Sequence, residues 1–216
     1  MNEFTGTNDI NFAVDICCTN RTTYVVTRDG KLWSCGQDYI ARGGNHRYPG
    51  KVTTDGTTEF TGVSRWSIDS VKNVNVTASS HNNLVFLDQN GKLYGFGQNY
   101  SSSLGIGHGN VVNYPTEIDI SSVTPSISSI KSIYGIYSHS DQSGFSIISG
   151  NNDLYIVGKL NRYPLNRIYQ QSYTFIMSNA KNIYYSQYDA IVQLVDNTLK
   201  SWGKNDTGKL VNGNEI

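Results

Sequence analysis

Charge is the first thing that this sequence lacks. Only 16% of its 216 residues are charged, and 17 basic residues balance 17 acidic ones. A neutral chain with no run of Lys or Arg has no long-range attraction for nucleic acid or for an anionic membrane surface. No apolar stretch approaches the roughly 20 residues that a membrane-spanning helix needs. We therefore expect neither nucleic-acid binding nor membrane insertion.

Cysteine is also scarce. Three cysteines, of which Cys17 and Cys18 are adjacent, make a poor disulfide framework, so we interpret them as packed thiols in a reducing compartment. Residues 1–7 lack the basic start and the apolar core of a signal peptide. The sequence therefore predicts synthesis in the cytoplasm without a signal peptide.

Glycine and tyrosine, in contrast, are abundant, with 21 and 15 copies, beside many Asn, Ser and Thr residues. Such a composition forms strands and turns readily and helices poorly. No segment places its apolar residues at the 3.6-residue period of an amphipathic helix. The sequence therefore predicts an all-β protein.

A short sequence segment recurs four times in similar form, and each copy has a leucine followed four residues later by a glycine. The pairs are Leu32 and Gly36, Leu93 and Gly97, Leu154 and Gly158, and Leu199 and Gly203, and the glycines are 61, 61 and 45 residues apart. A unit of this size indicates one supersecondary block that is used four times. We place the repeats at approximately 13–49, 74–115, 130–164 and 180–216, within a single domain of residues 1–216.

Each repeat is predicted to contain a β-hairpin. In the second repeat, the apolar residues 84–87 form an inner strand and residues 92–97 return as the next strand. Asn90-Gly91 lies between them and supplies the two positive-φ positions of a type I′ turn. The corresponding inner strands are predicted at 24–27, 145–148 and 190–195.

Four antiparallel sheets of three or four strands cannot each bury themselves alone, and we expect them to pack around an axis. Tyr-Pro pairs at 48–49, 114–115 and 163–164 predict edge strands or loops between sheets, because proline cannot donate to a sheet ladder. The 13 residues after Gly203 and the first 36 residues together match the length of one repeat. We therefore expect the N-terminal segment to complete the last sheet.

The second repeat is the best preserved. It begins at residue 77 and contains Gly91-Lys92-Leu93-Tyr94-Gly95-Phe96-Gly97, Leu104-Gly105-Ile106-Gly107 and Tyr114-Pro115. The fourth repeat has Trp202-Gly203, Asn205, Gly208 and Leu210, and the first has Asp29-Gly30-Lys31-Leu32 and Gly36. The third is the weakest, because Val157 stands at the position of Trp202 and no Gly-x-Leu-Gly segment follows. These residues resemble the regulator of chromosome condensation repeat family of β-propellers.

The resemblance implies a β-propeller of about four blades, or a partial propeller completed by association, because members of the family usually close with seven blades. Members with nucleotide-exchange activity use particular loops and an inserted wedge against a small GTPase. This sequence has no match to those segments, so the resemblance does not carry exchange activity to it.

The four histidines, which could in principle act in catalysis or bind metal, each have a structural explanation. His81 and His139 occupy a repeat position that is often His in the family, where a hydrogen bond ties one blade to the next. His46 and His108 lie in loops after the repeat glycine and are expected to be exposed. Four histidines without close spacing do not form a zinc site.

Three further motifs lack the geometry or the residues that their chemistry requires. Residues 138–141 (Ser-His-Ser-Asp) cannot relay a proton, because adjacent strand residues point to opposite faces. Residues 105–109 are glycine-rich but lack the following Lys-Ser/Thr of a phosphate loop. Asp88-Gln89-Asn90-Gly91 begins like a calcium loop, but Asn99 stands at its twelfth position instead of Glu. We therefore predict no enzyme activity and no metal or other cofactor.

Tyrosine is unevenly distributed: nine of the 15 copies fall between Tyr134 and Tyr188, in a region that also holds two arginines. Tyr and Arg dominate protein interfaces, and tyrosines also stack on sugars. Packing between blades and a partner-binding face are both open readings of this region. The candidate partner-binding residues are Arg162, Tyr163, Arg167, Tyr169, Tyr173, Tyr184, Tyr185 and Tyr188.

The leading functional prediction is a non-catalytic module for protein–protein interaction or structure, most plausibly a virion- or tail-associated component of a large assembly. Low charge and a composition rich in Asn, Ser, Thr and Tyr favour this interpretation. One alternative is a small-GTPase exchange factor or an enzyme inhibitor. The other is a glycan- or receptor-binding propeller.

Overall fold

The computed structural model describes residues 13–18, 22–28, 32–36, 65–66, 77–78, 83–88, 90–137, 143–160, 168–186, 189–203 and 210. These residues form fifteen β-strands and one single-turn 3-10 helix (Tyr100–Ser102), and they include no α-helix. No helix among them is long and apolar enough to span a membrane. The predicted all-β class is confirmed.

The strands form four antiparallel sheets. The first holds β1 (Ala13–Cys18), β2 (Thr22–Thr27), β3 (Leu32–Gly36) and β4 (Arg65–Trp66), and the second holds β5 (Thr77–Ala78), β6 (Asn83–Leu87), β7 (Leu93–Gly97) and β8 (Val112–Glu117). The third holds β9 (Ile130–Tyr137), β10 (Ser143–Ser149), β11 (Leu154–Leu160) and β12 (Ile168–Met177), and the fourth holds β13 (Ala180–Tyr185), β14 (Asp189–Leu194) and β15 (Leu199–Gly203).

The chain divides into two compact units. One consists of Met1–Gln98 and Val111–Ile118 and carries the first and second sheets; the other consists of Asn99–Asn110 and Asp119–Ile216 and carries the third and fourth sheets. Each unit has its own buried residues. In the first, the Phe86 and Tyr94 rings stack at 5.5 Å, and Tyr24 meets Phe96 edge to face at 5.9 Å.

All four predicted hairpins form, and they share one register. Each repeat leucine begins the second hairpin strand opposite a residue six positions earlier, and each repeat glycine lies opposite a residue 14 positions earlier. The leucine pairs are Val26 with Leu32, Leu87 with Leu93, Ile148 with Leu154, and Gln193 with Leu199. The glycine pairs are Thr22 with Gly36, Asn83 with Gly97, Gly144 with Gly158, and Asp189 with Gly203.

The type I′ turn predicted for the second hairpin is wrong. Gly91 N donates to Asp88 O at 3.1 Å, whereas Asp88 N donates to Lys92 O at 2.9 Å, so the loop holds three residues and ends on Gly91 at φ +77°. This is a tight turn followed by a left-handed bulge residue. The Asp88 carboxylate stabilises it by accepting from the backbone N–H groups of Asn90 and Lys92, both at 2.8 Å. The calcium-like motif is therefore part of a turn.

The third and fourth hairpins use the same turn. Asn152 N donates to Ser149 O at 2.9 Å, and Asn197 N donates to Leu194 O at 3.0 Å. The two asparagines have φ values of +64° and +68°, in the left-handed region that asparagine tolerates better than most residues. Gly91, Asn152 and Asn197 are therefore equivalent. The turn of the first hairpin, with Asp29-Gly30, lies outside the described residues.

The opening strands of three sheets share a β-bulge. Pairing skips Val14 in β1, Lys131 in β9 and Lys181 in β13. Two residues beyond each bulge, the register therefore places Ile16, Ile133 and Ile183 at equivalent positions.

Other expectations are met in part. Pro115 lies in β8, the outer strand of the second sheet, as predicted for a residue that cannot donate to a ladder. The other two Tyr-Pro pairs lie outside the described residues. Strand β1 belongs to the first sheet and the described part of the fourth sheet has three strands, so residues 13–18 do not complete the last sheet; residues 1–12 lie outside the described residues.

Candidate protein-binding face

The fourth sheet has one buried face and one exposed face. Successive residues of a strand point to opposite sides. On one side, Ile183, Ala190 and Val192 are buried. On the other side, Tyr184 and Leu199 are 60% and 66% exposed. The exposed side of β13–β15 is called the outer face below.

The buried side packs against the third sheet of the same unit. Ile183, Ala190 and Val192 share a cluster with Ile148 and Leu154 of the third sheet. The partly buried residues packed on this cluster are Tyr134, Ile176, Met177, Tyr185, Leu194 and Trp202. Because this side is filled, the outer face is the side of the sheet that is open to another molecule.

Amide side chains form a ladder across the outer face. Asn182 Nδ2 donates to Gln193 Oε1 at 3.0 Å, and Gln193 Nε2 donates to Asn197 Oδ1 at 3.3 Å. Lys181 Nζ donates to the same Asn197 oxygen at 2.9 Å. These bonds hold the polar side chains in place beside the row that Tyr184, Ile191 and Ser201 form across the strands.

Strand β15 is one of the two edges of the described part of the fourth sheet. In the other three sheets, the second hairpin strand pairs with a further strand, namely β4, β8 or β12. Within the described part of the chain, no strand pairs with the far edge of β15. Ser201 Oγ donates to the carbonyl of Leu210 at 2.8 Å, which is a side-chain contact and not a ladder bond.

The predicted tyrosines lie in different environments. Tyr184 is exposed on the outer face, and Tyr185 points to the opposite side, where it packs on the core. Tyr173, in β12, is buried, and burial raises the pKa of its hydroxyl. Its ring lies against Gly105, with the ring carbon Cε2 3.0 Å from the point that a Cβ would occupy. Tyr173 thus follows the packing reading of the tyrosine-rich region.

The remaining candidates cannot be placed on this face. Tyr169 lies in β12, but its side chain is outside the described residues, as are Arg162, Tyr163, Arg167 and Tyr188 entirely. Sequence reasoning missed Leu199, whose pattern is that of a core residue. It also missed Val14 and Ile16, which are 52% and 62% exposed on β1.

Some of the histidines and cysteines lie within the described residues. His108 is exposed, as predicted, and no group of three or more His, Cys, Asp or Glu residues among those described could hold a metal ion. Residues His46, His81 and His139 lie outside the description. Cys17 and Cys18 are both in the reduced thiol form, and burial, aided by the Asp15 carboxylate, raises the pKa of Cys17.

The fold is similar to that of three solved propeller structures. Human WBSCR16 superposes with a TM-score of 0.69 at 16% identity, over 99% of this chain and 52% of that one. Yeast RCC1 (Prp20), solved with Kap60 bound to it, gives a TM-score of 0.58 at 14% identity, over 92% and 43% of the two chains. Prp20p from Saccharomyces cerevisiae gives 0.57 at 14% identity, over 92% and 45%.

The fold is a β-propeller of the RCC1-like kind. The chain spans about half the length of the human structure that it matches. No protein-family model matches the sequence, and no curated protein matches it either. The similarity therefore establishes the fold and not the function.

Proposed function

We propose that this propeller is a non-catalytic module that binds another protein through the outer face of its fourth sheet. The observation that carries the proposal is Tyr184, which is 60% exposed on a regular strand that is anchored from behind by Ile183. A tyrosine fixed on a sheet provides a large contact area and loses few side-chain rotations on binding. Leu199 adds apolar area, and the amide ladder supplies a polar rim.

Isolation of bound proteins with Tyr184→Ala tests this function. The wild-type protein and the variant are cross-linked in source cells, and recovered proteins are quantified by mass spectrometry. We expect one or a few proteins in fixed ratio to the wild type and at least tenfold depletion with Tyr184→Ala. Tyr100→Ala is the matched control, because Tyr100 is 51% exposed but lies in the 3-10 helix between β7 and β8 and not on the fourth sheet. Equal recovery with all three proteins would contradict the proposal.

The repeat organisation of the propeller is a second part of the proposal. We propose four degenerate repeats of the regulator of chromosome condensation type, at approximately 13–49, 74–115, 130–164 and 180–216 of one domain. The four hairpins of common register support this assignment.

We also propose a virion- or tail-associated role, with synthesis in the cytoplasm. The low charge and the polar composition of the chain support this role. A fixed copy number in purified virions tests it, and absence from them contradicts it.

Two alternatives have their own tests. Prp20p was studied for its binding properties to Gsp1p and histones, so a partner of regulatory type is the second candidate. Accelerated nucleotide release from a small GTPase would favour an exchange factor over our proposal. Exposed Tyr184 also suits stacking on a sugar. Binding on a glycan array that is lost with Tyr184→Ala would favour the glycan-binding alternative.

A further inference from the structure

The turn of the second hairpin carries an asparagine followed by a glycine, Asn90-Gly91, and both residues are exposed. Asparagine is a thermolabile residue. It loses its side-chain amide most readily before glycine, because the backbone nitrogen of the next residue attacks Cγ and a side chain on that residue obstructs the attack. A Cβ built on Gly91 would meet nothing within 4 Å, so this part of the turn is uncrowded. Asn90 and Gly91 therefore provide the two reacting groups of a deamidation.

Asp88 holds both of these reacting groups. Its backbone carbonyl accepts from Gly91 N at 3.1 Å. Its carboxylate accepts from Asn90 N at 2.8 Å and from Asn90 Nδ2 at 3.4 Å. Attack on Cγ requires Gly91 N to give up its hydrogen bond and the Asn90 side chain to turn from the carboxylate toward that nitrogen. The negative charge of Asp88 also opposes the loss of a proton from a nitrogen close to it. These contacts should slow the reaction in the folded protein.

The third and fourth hairpins provide internal comparisons, because they use the same turn. In the third, the residue equivalent to Asn90 is Asn151, which is exposed but is followed by Asn152, whose side chain obstructs the attack. In the fourth, the equivalent residue is already an aspartate, Asp196. The Asp196 carboxylate accepts from Thr198 N at 2.9 Å and from Thr198 Oγ1 at 2.7 Å. The turn therefore accommodates the aspartate that deamidation produces.

We propose that Asn90 is a site of spontaneous deamidation and that Asp88 is the positioning residue that sets its rate. Gly91 N forms a bond to Asn90 Cγ, the bond from Cγ to Nδ2 breaks, and the amide group leaves as ammonia with the proton that Gly91 N gives up. Water then opens the cyclic imide. Cleavage between Gly91 N and Cγ leaves aspartate, and cleavage between Gly91 N and the main-chain carbonyl carbon leaves isoaspartate. One water is consumed and one ammonia is released, without oxidation or reduction.

The two products have different consequences for the hairpin. Aspartate keeps the main chain unchanged and matches Asp196 of the fourth hairpin. Isoaspartate leads the main chain through the former side chain and so lengthens it within the turn. The longer turn displaces Lys92 N from the Asp88 carboxylate, from which it now lies 2.8 Å away. The isoaspartate form should therefore loosen the second hairpin, whereas the aspartate form should leave it folded.

Peptide mapping by mass spectrometry, after incubation of the whole chain in mildly alkaline buffer, tests the proposal. It quantifies asparagine, aspartate and isoaspartate at position 90, and a synthetic peptide of residues 87–93 gives the rate without the fold. We expect the wild type to react at least tenfold more slowly than the peptide, and Asp88→Ala at least fivefold faster than the wild type. Gly91→Ala should suppress the reaction. Asn151 should stay intact over the same period.

Val85→Ala separates the hold of Asp88 from general loosening, because it opens a cavity at a buried position of the same sheet without touching the turn. Faster reaction in Asp88→Ala than in Val85→Ala supports the positioning role. Equal acceleration by the two variants, or a wild type that reacts as fast as the peptide, would contradict that role. If Asn90 stays intact in Asp88→Ala while the peptide is consumed, the site itself is wrong.

Discussion

Asn99 closes the loop between β7 and β8 by donating from Nδ2 to the carbonyl of His108 at 2.7 Å. The same amide nitrogen donates to Asn110 O at 3.0 Å, and its Oδ1 accepts from Leu104 N at 3.0 Å. The side chain is buried and its backbone has φ +50°. One asparagine side chain therefore ties together three points of the 14-residue loop 98–111.

Replacement of Asn99 by Ala should destabilise the protein by about 2–4 kcal/mol. It removes three hydrogen bonds, leaves the buried Leu104 N–H without its acceptor, and places a Cβ without a compensating polar group in the left-handed region. Urea unfolding, followed by tryptophan fluorescence, measures the change. Ser126→Ala, at an exposed position, is the control and should change the free energy of unfolding by less than about 0.5 kcal/mol. A loss as small as that of the control would show that the loop does not depend on Asn99.

Gly158 and Gly91 should differ sharply when each is replaced by Ala. Both have positive φ, at +103° and +77°, so both substitutions strain the backbone. A Cβ on Gly91 meets nothing within 4 Å, whereas a Cβ on Gly158 would collide with the carbonyl of Ser143 and lie 2.7 Å from Gly144 Cα. We expect a cost of about 1 kcal/mol for Gly91→Ala and more than about 3 kcal/mol for Gly158→Ala, measured by urea unfolding. Equal costs would mean that backbone strain alone requires these glycines.

Leu154 and Leu199 provide a matched pair for the value of burial. Leu154→Ala opens a cavity in the core of the second unit and should cost about 2–5 kcal/mol. Leu199→Ala removes an exposed side chain and should cost less than about 0.5 kcal/mol in a dilute monomer. Thermal unfolding at two protein concentrations checks both values. A large cost for Leu199→Ala in the monomer would show that the chain itself covers this leucine.

The repeat pattern predicts the hairpins because it is local. Each leucine-to-glycine phrase contains its own turn, so the strands at 84–87, 92–97 and 145–148 could be located from alternation and turn residues alone. The turn type could not. Asp88 accepts two backbone hydrogen bonds and shifts the closing pair by one residue, and such a side-chain bond overrides the preference of Asn90-Gly91 for a type I′ turn.

Exposure of the candidate face could be predicted only in part. Tyr173 and Tyr184 belong to the same tyrosine-rich region, yet one is buried and the other exposed, because tertiary packing decides which strand face is covered. Leu199 carries the same local signal as the buried Leu93 and Leu154. The residues of one repeat do not indicate whether another sheet packs on the side that carries its repeat leucine.

Cys17 should react slowly with iodoacetamide over a wide pH range. Burial and the nearby Asp15 carboxylate raise the pKa of its thiol, so the reactive thiolate is rare below that pKa and increases as the pH rises. Cys18 is exposed on the other side of β1. With Cys35 replaced by Ser, alkylation of Cys18→Ser should be at least ten times slower at pH 8 than alkylation of Cys17→Ser. Similar rates in the native protein, or a plateau for Cys17 by pH 9, would contradict the burial.

Tyr173 and Tyr155 form the last matched pair, because both rings are buried but only one hydroxyl has a hydrogen bond among the described residues. Tyr155 OH donates to Pro125 O at 2.9 Å, whereas Tyr173 OH has no partner in the described part of the chain. A buried hydroxyl without a partner costs about 1–3 kcal/mol of desolvation, and a satisfied one contributes about 1 kcal/mol. Tyr173→Phe should therefore raise the free energy of unfolding by about 1 kcal/mol, and Tyr155→Phe should lower it by about the same amount. Urea unfolding of both variants measures the two signs, and a loss of stability in Tyr173→Phe would show that its hydroxyl is satisfied in solution.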